Sequence, residues 1–174
     1  MNRRGQSQRV AVVIPAKDES ARIAATVRAA RAIPYVDLVL VVDDGSTDDT
    51  QHVARAAGAV VVRHSVNRGK ASAMETGASV VAMRDAPQGP PRLLVFIDAD
   101  LGGTAVGVAP LVDAVLAGTA DCAIAVLPPQ PGAGGRGIVT GKARRSIARA
   151  TGWVPTQPLS GQRCLTREAF EAAV

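Results

Sequence analysis

Aromatic side chains are almost missing from this chain of 174 residues, which has two phenylalanines, Phe96 and Phe170, one tryptophan, Trp153, and one tyrosine, Tyr35. Their scarcity argues against the base-stacking platforms that bind single-stranded nucleic acid, and leaves Ala, Val, Leu and Ile to build the core. Cysteine is also sparse. Cys122 and Cys164 lie far apart without a CxxC partner, so neither a disulfide framework nor a Cys-rich zinc site is supported, and a reducing cytoplasm is the implied setting. No apolar run reaches the ~18 residues of a membrane span. The run Val10–Ile14 is cut off by Pro15 and is too short for a signal-peptide core, so the chain reads as soluble or at most attached to a membrane surface. GxSxG and HExxH are absent, which weakens hydrolase and zinc-protease readings.

What is present fits one globular domain: 47% apolar residues, with 20 Lys and Arg against 15 Asp and Glu. Short β-branched runs alternate with helix-patterned stretches, the pattern of an α/β fold with a mainly parallel sheet. The runs are Arg9–Ile14, Asp37–Val42, Ala59–Arg63 and Leu93–Ile97, with Cys122–Val126 as a fifth. Each is nearly continuous in apolar residues, as expected of strands covered on both faces. Between them, Ile23, Val27 and Ala30 share a helical face, and Ser46 with Asp49 reads as a capping box before a helix ended by Gly58. Ala71–Arg84 and Val106–Ala117 read as further helices, 128–135 as a mobile Pro/Gly loop, and Arg167–Val174 as a final helix. From Arg136 to Arg167 there are seven basic residues and no acidic one, which suits either a solvated helix face or a surface facing phosphate or anionic lipid.

Ligands of open α/β sheets bind beyond the carboxyl ends of the strands, and those positions are polar here. Pro15-Ala16-Lys17-Asp18-Glu19 follows the first strand, Asp43-Asp44-Gly45-Ser46 the second, and Asp98-Ala99-Asp100 the fourth. Converging carboxylates are costly without a cation or a hydrogen-bonding ligand, and hard oxygens at a strand end suit Mg²⁺ or Mn²⁺. A bare DxD alone is an ordinary turn; its position beside two other acidic loops gives it weight. An Asp-Gly turn and a helix cap account for Gly45 and Ser46, but not for paired aspartates ending an apolar strand. Asn67-Arg68-Gly69-Lys70 opens a helix and offers cations and N–H groups to a phosphate, without the full P-loop pattern. His52 and His64 read as structural or exposed.

The ordered set Val13-Ile14-Pro15-Ala16-Lys17-Asp18-Glu19, Val41-Val42-Asp43-Asp44-Gly45-Ser46, Asn67-Arg68-Gly69-Lys70 and Phe96-Ile97-Asp98-Ala99-Asp100 resembles glycosyltransferase family 2. The nearest look is to polyprenyl-phosphate sugar transferases such as dolichyl-phosphate mannose or glucose synthases, and Leu159–Arg167 extends the likeness with a Gly-x-Arg stretch. The resemblance implies a GT-A fold, a Rossmann-like mainly parallel sheet with helices on both faces. It implies a flexible segment 1–8 and one domain over 9–174, with a nucleotide-sugar donor half at 9–104 and the start of an acceptor half at 105–174, truncated at the C-terminus. Pro15, Ala16 and Glu19 would line the nucleotide site and Asp44 would contact the base. Lys70 would face the nucleotide, Asp98 would lie near the ribose and metal, Asp100 would ligate the metal, and Arg163 would approach a diphosphate or acceptor phosphate. The implied partners are a UDP- or GDP-sugar, Mg²⁺ or Mn²⁺, and an anionic acceptor such as a polyprenyl phosphate, with peripheral membrane contact. Transfer to a soluble phosphorylated acceptor, as in glucosyl-3-phosphoglycerate synthase, and a non-catalytic nucleotide-binding remnant are the alternatives.

Overall fold

The computed structural model describes residues 8–126, 136–152, 154 and 160–174. Residues 1–7, the Pro/Gly stretch 128–135, Trp153 and Leu159 lie outside the described residues, and with them most of the expected flexible N-terminus and mobile loop. In chain order the elements are β1 (Val10–Ala16), α1 (Ile23–Arg31), β2 (Val36–Asp44), α2 (Thr50–Ala56), β3 (Val60–His64), α3 (Lys70–Met83) and β4 (Leu93–Phe96). A 3₁₀ helix (Gly102–Val108), α4 (Ala109–Leu116), β5 (Cys122–Ile124), α5 (Arg136–Thr151), β6 (Arg163–Leu165) and α6 (Arg167–Glu171) follow. No helix among the described residues is long and apolar enough to cross a membrane.

The sheet runs β3-β2-β1-β4-β6-β5. The first four of these strands are parallel, whereas β6 is antiparallel to both β4 and β5. The expected α/β architecture is therefore present, with an antiparallel edge. The chain builds outward from β1 through β2 to β3, then returns to place β4 on the other flank of β1. The β1/β4 boundary is thus the topological switch point, where open α/β sheets form their ligand crevice.

Alternate strand residues enter two cores, as the two-residue period of a strand requires. Val10, Val12 and Ile14 pack with Ile23, Val27 and Ala30 of α1 and with Val112 and Val115 of α4. Ala11, Val13 and Leu40 pack with Ala73, Ala78 and Val81 of α3, and Phe96 stacks on Phe170 of α6 with ring centroids 5.4 Å apart. Each large apolar side chain buried this way contributes roughly 1.5–3 kcal/mol. The helix α3 lies so close to β1 that a Cβ on Gly77 would meet Val13 Cγ1 at 2.3 Å.

Several expectations are corrected. The strands β1 and β2 extend two residues beyond the apolar runs, so Pro15, Ala16, Asp43 and Asp44 are the strand ends themselves rather than loop residues. Proline, which cannot donate to a ladder, is tolerated at position 15 because β4 pairs with β1 only as far as Val13↔Phe96. Beyond that pair the strands part. The capping box is absent: α2 has Asp49 at its N-cap without a side-chain cap bond, and Ser46 instead joins two loops. The stretch Val106–Ala117 divides into a 3₁₀ helix and α4, because Pro110 lies in the first turn of α4, where its missing N–H is harmless. The fifth strand ends at Ile124 and the last helix at Glu171, both shorter than their sequence patterns.

Candidate active site

Where β1 and β4 separate, a cavity of about 430 Å³ opens at the carboxyl edge of the sheet. Of the residues read as a site, Pro15, Ala16 and Glu19 reach it from β1 and its loop, Asp44 from β2, Lys70 from α3, and Asp98 and Asp100 from beyond β4. Lys17, Asn67, Gly69 and Ala99 complete its lining. Arg163 does not line it. That residue lies on β6, where its guanidinium Nη2 donates to the Ser160 carbonyl at 2.8 Å and its Nε is buried without a partner among the described residues.

Hydrogen bonds between strand-end loops shape the cavity. Asp18, in the left-handed region at φ 53°, accepts from the Thr47 N–H at 2.7 Å and donates its own N–H to Ser46 Oγ at 2.9 Å. The Glu19 N–H donates to Thr50 Oγ1 and the Ser20 N–H to Asp48. The Thr50 hydroxyl first, then Ser20 and the Thr50 N–H, donate to Asp48 and hold its carboxyl well below the usual range. Gly45, at φ 75°, lets the β2 loop touch the β3 loop; a Cβ there would lie 2.7 Å from the Asn67 backbone nitrogen.

The carboxylate of Asp44 organises the third loop. Its Oδ1 accepts from the Arg68 N–H at 2.8 Å and lies 2.7 Å from His64 Nδ1, and its Oδ2 accepts from the Gly69 N–H at 2.8 Å. Burial opposes its charge, yet the Arg68 N–H, His64 and the Gly69 N–H together keep its pKa below the usual value. Imidazole Nε2 of His64 meets Thr76 Oγ1 at 3.0 Å, so this buried histidine is structural, in service of Asp44. The other aspartate, Asp43, is fully buried, accepting from the Ser46 N–H at 2.9 Å and lying 3.5 Å from Arg63 Nε.

Beyond β4, the two carboxylates differ. Asp98 pairs with Lys70 through Oδ1 and accepts from Gln162 Nε2 through Oδ2 at 2.8 Å. Asp100 is half exposed and, among the described residues, its charged partner is Arg22 at 3.9 Å, while Arg22 also pairs with Glu19 at 2.8 Å. The turn carrying both is pinned from α1: Thr26, fully buried, donates Oγ1 to the Ala99 carbonyl at 2.7 Å and accepts from the Gly102 N–H at 2.8 Å. Among the described residues no group of three metal-ligating side chains is preformed. Two carboxylates at an open mouth fit a Mg²⁺ or Mn²⁺ ion that completes its shell with substrate oxygens and water.

Sequence reasoning missed Thr26, Arg22 and Gln162. Thr26 looks like one more small residue on an amphipathic helix, and Arg22 like a solvated charge. Gln162 does stand in the stretch with the Gly-x-Arg likeness, but that likeness drew attention to Arg163, its neighbour.

Residues 11–162 match the sequence profile of Glycosyl transferase family 2. The chain belongs to this family. This family 2 chain is 41% identical over 96 residues to the succinoglycan biosynthesis protein ExoU of Rhizobium meliloti, spanning 52% of this chain and 26% of that protein. It is 36% identical over 89 residues to an uncharacterized protein of Methanocaldococcus jannaschii, spanning 51% of this chain and 34% of that one. Among solved structures, glucosyl-3-phosphoglycerate synthase of Mycobacterium tuberculosis in complex with phosphoglyceric acid superimposes with a TM-score of 0.73 at 28% identity, covering 93% of this chain and 58% of the synthase. The same synthase with Mn²⁺, UDP-glucose and phosphoglyceric acid gives 0.74 at 30% identity over the same shares, 93% and 58%. The family 2 chain thus spans well under two thirds of each of these relatives.

Proposed function

We propose that this chain carries the donor site of a metal-dependent glycosyltransferase that takes a sugar from a UDP-sugar to a soluble phosphorylated acceptor. The observation that carries the reading is the convergence of Asp44, Lys70, Asp98 and Asp100 in one cavity at the β1/β4 switch point. The likeness to a synthase solved with UDP, UDP-glucose, Mn²⁺ and phosphoglyceric acid supports the choice of uridine donor and soluble acceptor over a GDP-sugar and a polyprenyl phosphate.

Pro15 and Ala16 supply a rigid apolar wall against the nucleoside. Of the roughly four acceptor positions on the Asp44 carboxylate, the Arg68 and Gly69 N–H groups and His64 fill three. One acceptor position on Oδ2 is left for the imide N–H of uracil, an edge that suits a fixed anion. Lys70 presents its ammonium toward phosphate oxygens. Asp100 and Asp98 would hold the divalent ion, which when bound neutralises charge on the departing diphosphate. The C–O bond from sugar to diphosphate breaks with its electron pair leaving on the diphosphate, while an acceptor hydroxyl oxygen forms the new bond at that carbon and its proton passes to the departing diphosphate. Acceptor contacts are assigned to no residue, and Arg163, held by the Ser160 carbonyl, takes no part in donor binding.

Calorimetric titration of the chain with UDP, GDP, UDP-glucose and GDP-mannose, each with Mn²⁺ and with EDTA, tests the donor reading. Uridine nucleotides are expected to bind with Mn²⁺, and a folded protein that binds none of the four ends the proposal. Product analysis with 3-phosphoglycerate and with a polyprenyl phosphate separates the acceptors, transfer to the lipid alone favouring the polyprenyl subtype.

A further inference from the structure

The geometry points to Asp98 Oδ1 as an exchangeable cation seat, filled by Lys70 until a divalent metal arrives, while Gln162 holds the opposite oxygen in place throughout. The inference rests on the donor-site reading above. Lys70 Nζ pairs with Oδ1, and Gln162 donates from Nε2 to Oδ2 at 2.8 Å. The carboxamide of Gln162 is itself oriented, since its Oε1 accepts from Ser160 Oγ at 3.2 Å and the residue is only 2% exposed. Gly161 closes the cradle: a Cβ there would stand 2.4 Å from Oδ2 and 2.5 Å from Oδ1. The turn before β6 therefore grips one side of the Asp98 carboxylate, and the partner free to leave is on the other.

That partner is Lys70, half exposed at the start of α3 on a flexible four-carbon stem. An ammonium and a Mn²⁺ or Mg²⁺ ion at the same oxygen compete for it and repel each other. A diphosphate arriving in the cavity supplies Lys70 with a second anion and the metal with further oxygens. Nucleotide and metal then favour each other, by the same factor in either order of addition. Gln162 acts as a positioning residue: a neutral amide donor orients Asp98 without cancelling the charge the metal needs. A lysine or arginine at that place would neutralise it.

Mn²⁺ uptake by the whole chain, followed by electron paramagnetic resonance with and without UDP, tests this in wild type, Lys70→Gln and Gln162→Met, with thermal melts to confirm folding. In wild type, UDP is expected to tighten Mn²⁺ binding roughly 5- to 150-fold, the usual span of such couplings, and Lys70→Gln to take up Mn²⁺ alone about tenfold tighter with a smaller response to UDP. Gln162→Met is expected to weaken Mn²⁺ binding about 10- to 100-fold while UDP affinity in EDTA is unchanged. Unchanged Mn²⁺ affinity of nucleotide-free Lys70→Gln overturns the exchange. Equal losses of Mn²⁺ and UDP affinity in Gln162→Met overturn the positioning role. A wild type that binds UDP and Mn²⁺ together, with Lys70→Gln and Gln162→Met both behaving as wild type, overturns this inference alone; a wild type that takes up no Mn²⁺ or binds no UDP overturns it together with the donor reading.

Discussion

The parallel strands β3-β2-β1-β4 and the antiparallel pair β6-β5 use one sheet for different ends. Strands β1 and β2 are seven and nine residues long, and the body of each is sealed by helices on both faces. Strands β5 and β6 have three residues each, and β5 leaves Cys122 exposed. The carboxyl ends of the parallel strands and the segments that directly follow them supply the lining of the cavity. The short pair supplies almost none, yet through Gln162 it fixes the orientation of Asp98. Stability and donor chemistry are thus concentrated in one part, and the other contributes precision at a single carboxylate.

The sharpest break is Asp100→Ala. It leaves both cores intact, so the protein should melt as wild type while metal-dependent UDP binding disappears by calorimetry; retained Mn²⁺ dependence would remove Asp100 from the site. Next in size is Phe96→Ala at the seam between the two parts, where loss of a fully buried ring that stacks on Phe170 should cost about 3–5 kcal/mol in urea unfolding. Ile124→Val in the half-buried β5 should cost about 1 kcal/mol or less. Equal losses would show that the antiparallel pair shares fully in the core.

Thr26→Val keeps the shape of the side chain and removes both bonds to the Asp98–Asp100 turn, leaving a buried carbonyl without its donor. It should cost about 1–3 kcal/mol and weaken UDP–Mn²⁺ binding without affecting UDP in EDTA. Acid should act through Asp44. Its folded pKa lies below the ordinary 3.8, so its contribution is complete above the unfolded value and is lost as pH falls through the folded one. Melting temperature should therefore be level from neutral pH to about pH 5 and fall below about pH 4, and His64→Gln should flatten that fall. The smallest effect is chemical. Burial pushes the Cys164 thiol up to about 12, so at pH 8 the native protein should be alkylated at Cys122 and not at Cys164, as peptide mass spectrometry would report.

The four parallel strands could be read from the chain because each is a local apolar run, and the acidic strand ends could be read because the carboxylates stand directly after those runs. The expected β1 and β2 stop two residues short at their carboxyl ends: Pro15 and the paired aspartates look like loop residues until the neighbouring strand is in place. Nothing local announces β6. Its three residues pair with Leu94–Phe96, about 70 positions earlier in the chain, and only that pairing turns Gln162 toward Asp98.

By itself the sequence determined the α/β alternation, the family likeness, and which strand ends carry charge, because periodicity and motif order are properties of neighbouring residues. Tertiary structure alone decided which partners those charges have. It gave His64 to Asp44, Thr26 to the DxD turn, Gln162 and Lys70 to Asp98, and kept Arg163 away from the cavity. The contacts of Asp44, Asp98 and the DxD turn join residues from 20 to 76 positions apart, and strand pairing and helix packing, which no short window of sequence contains, bring them within hydrogen-bonding reach.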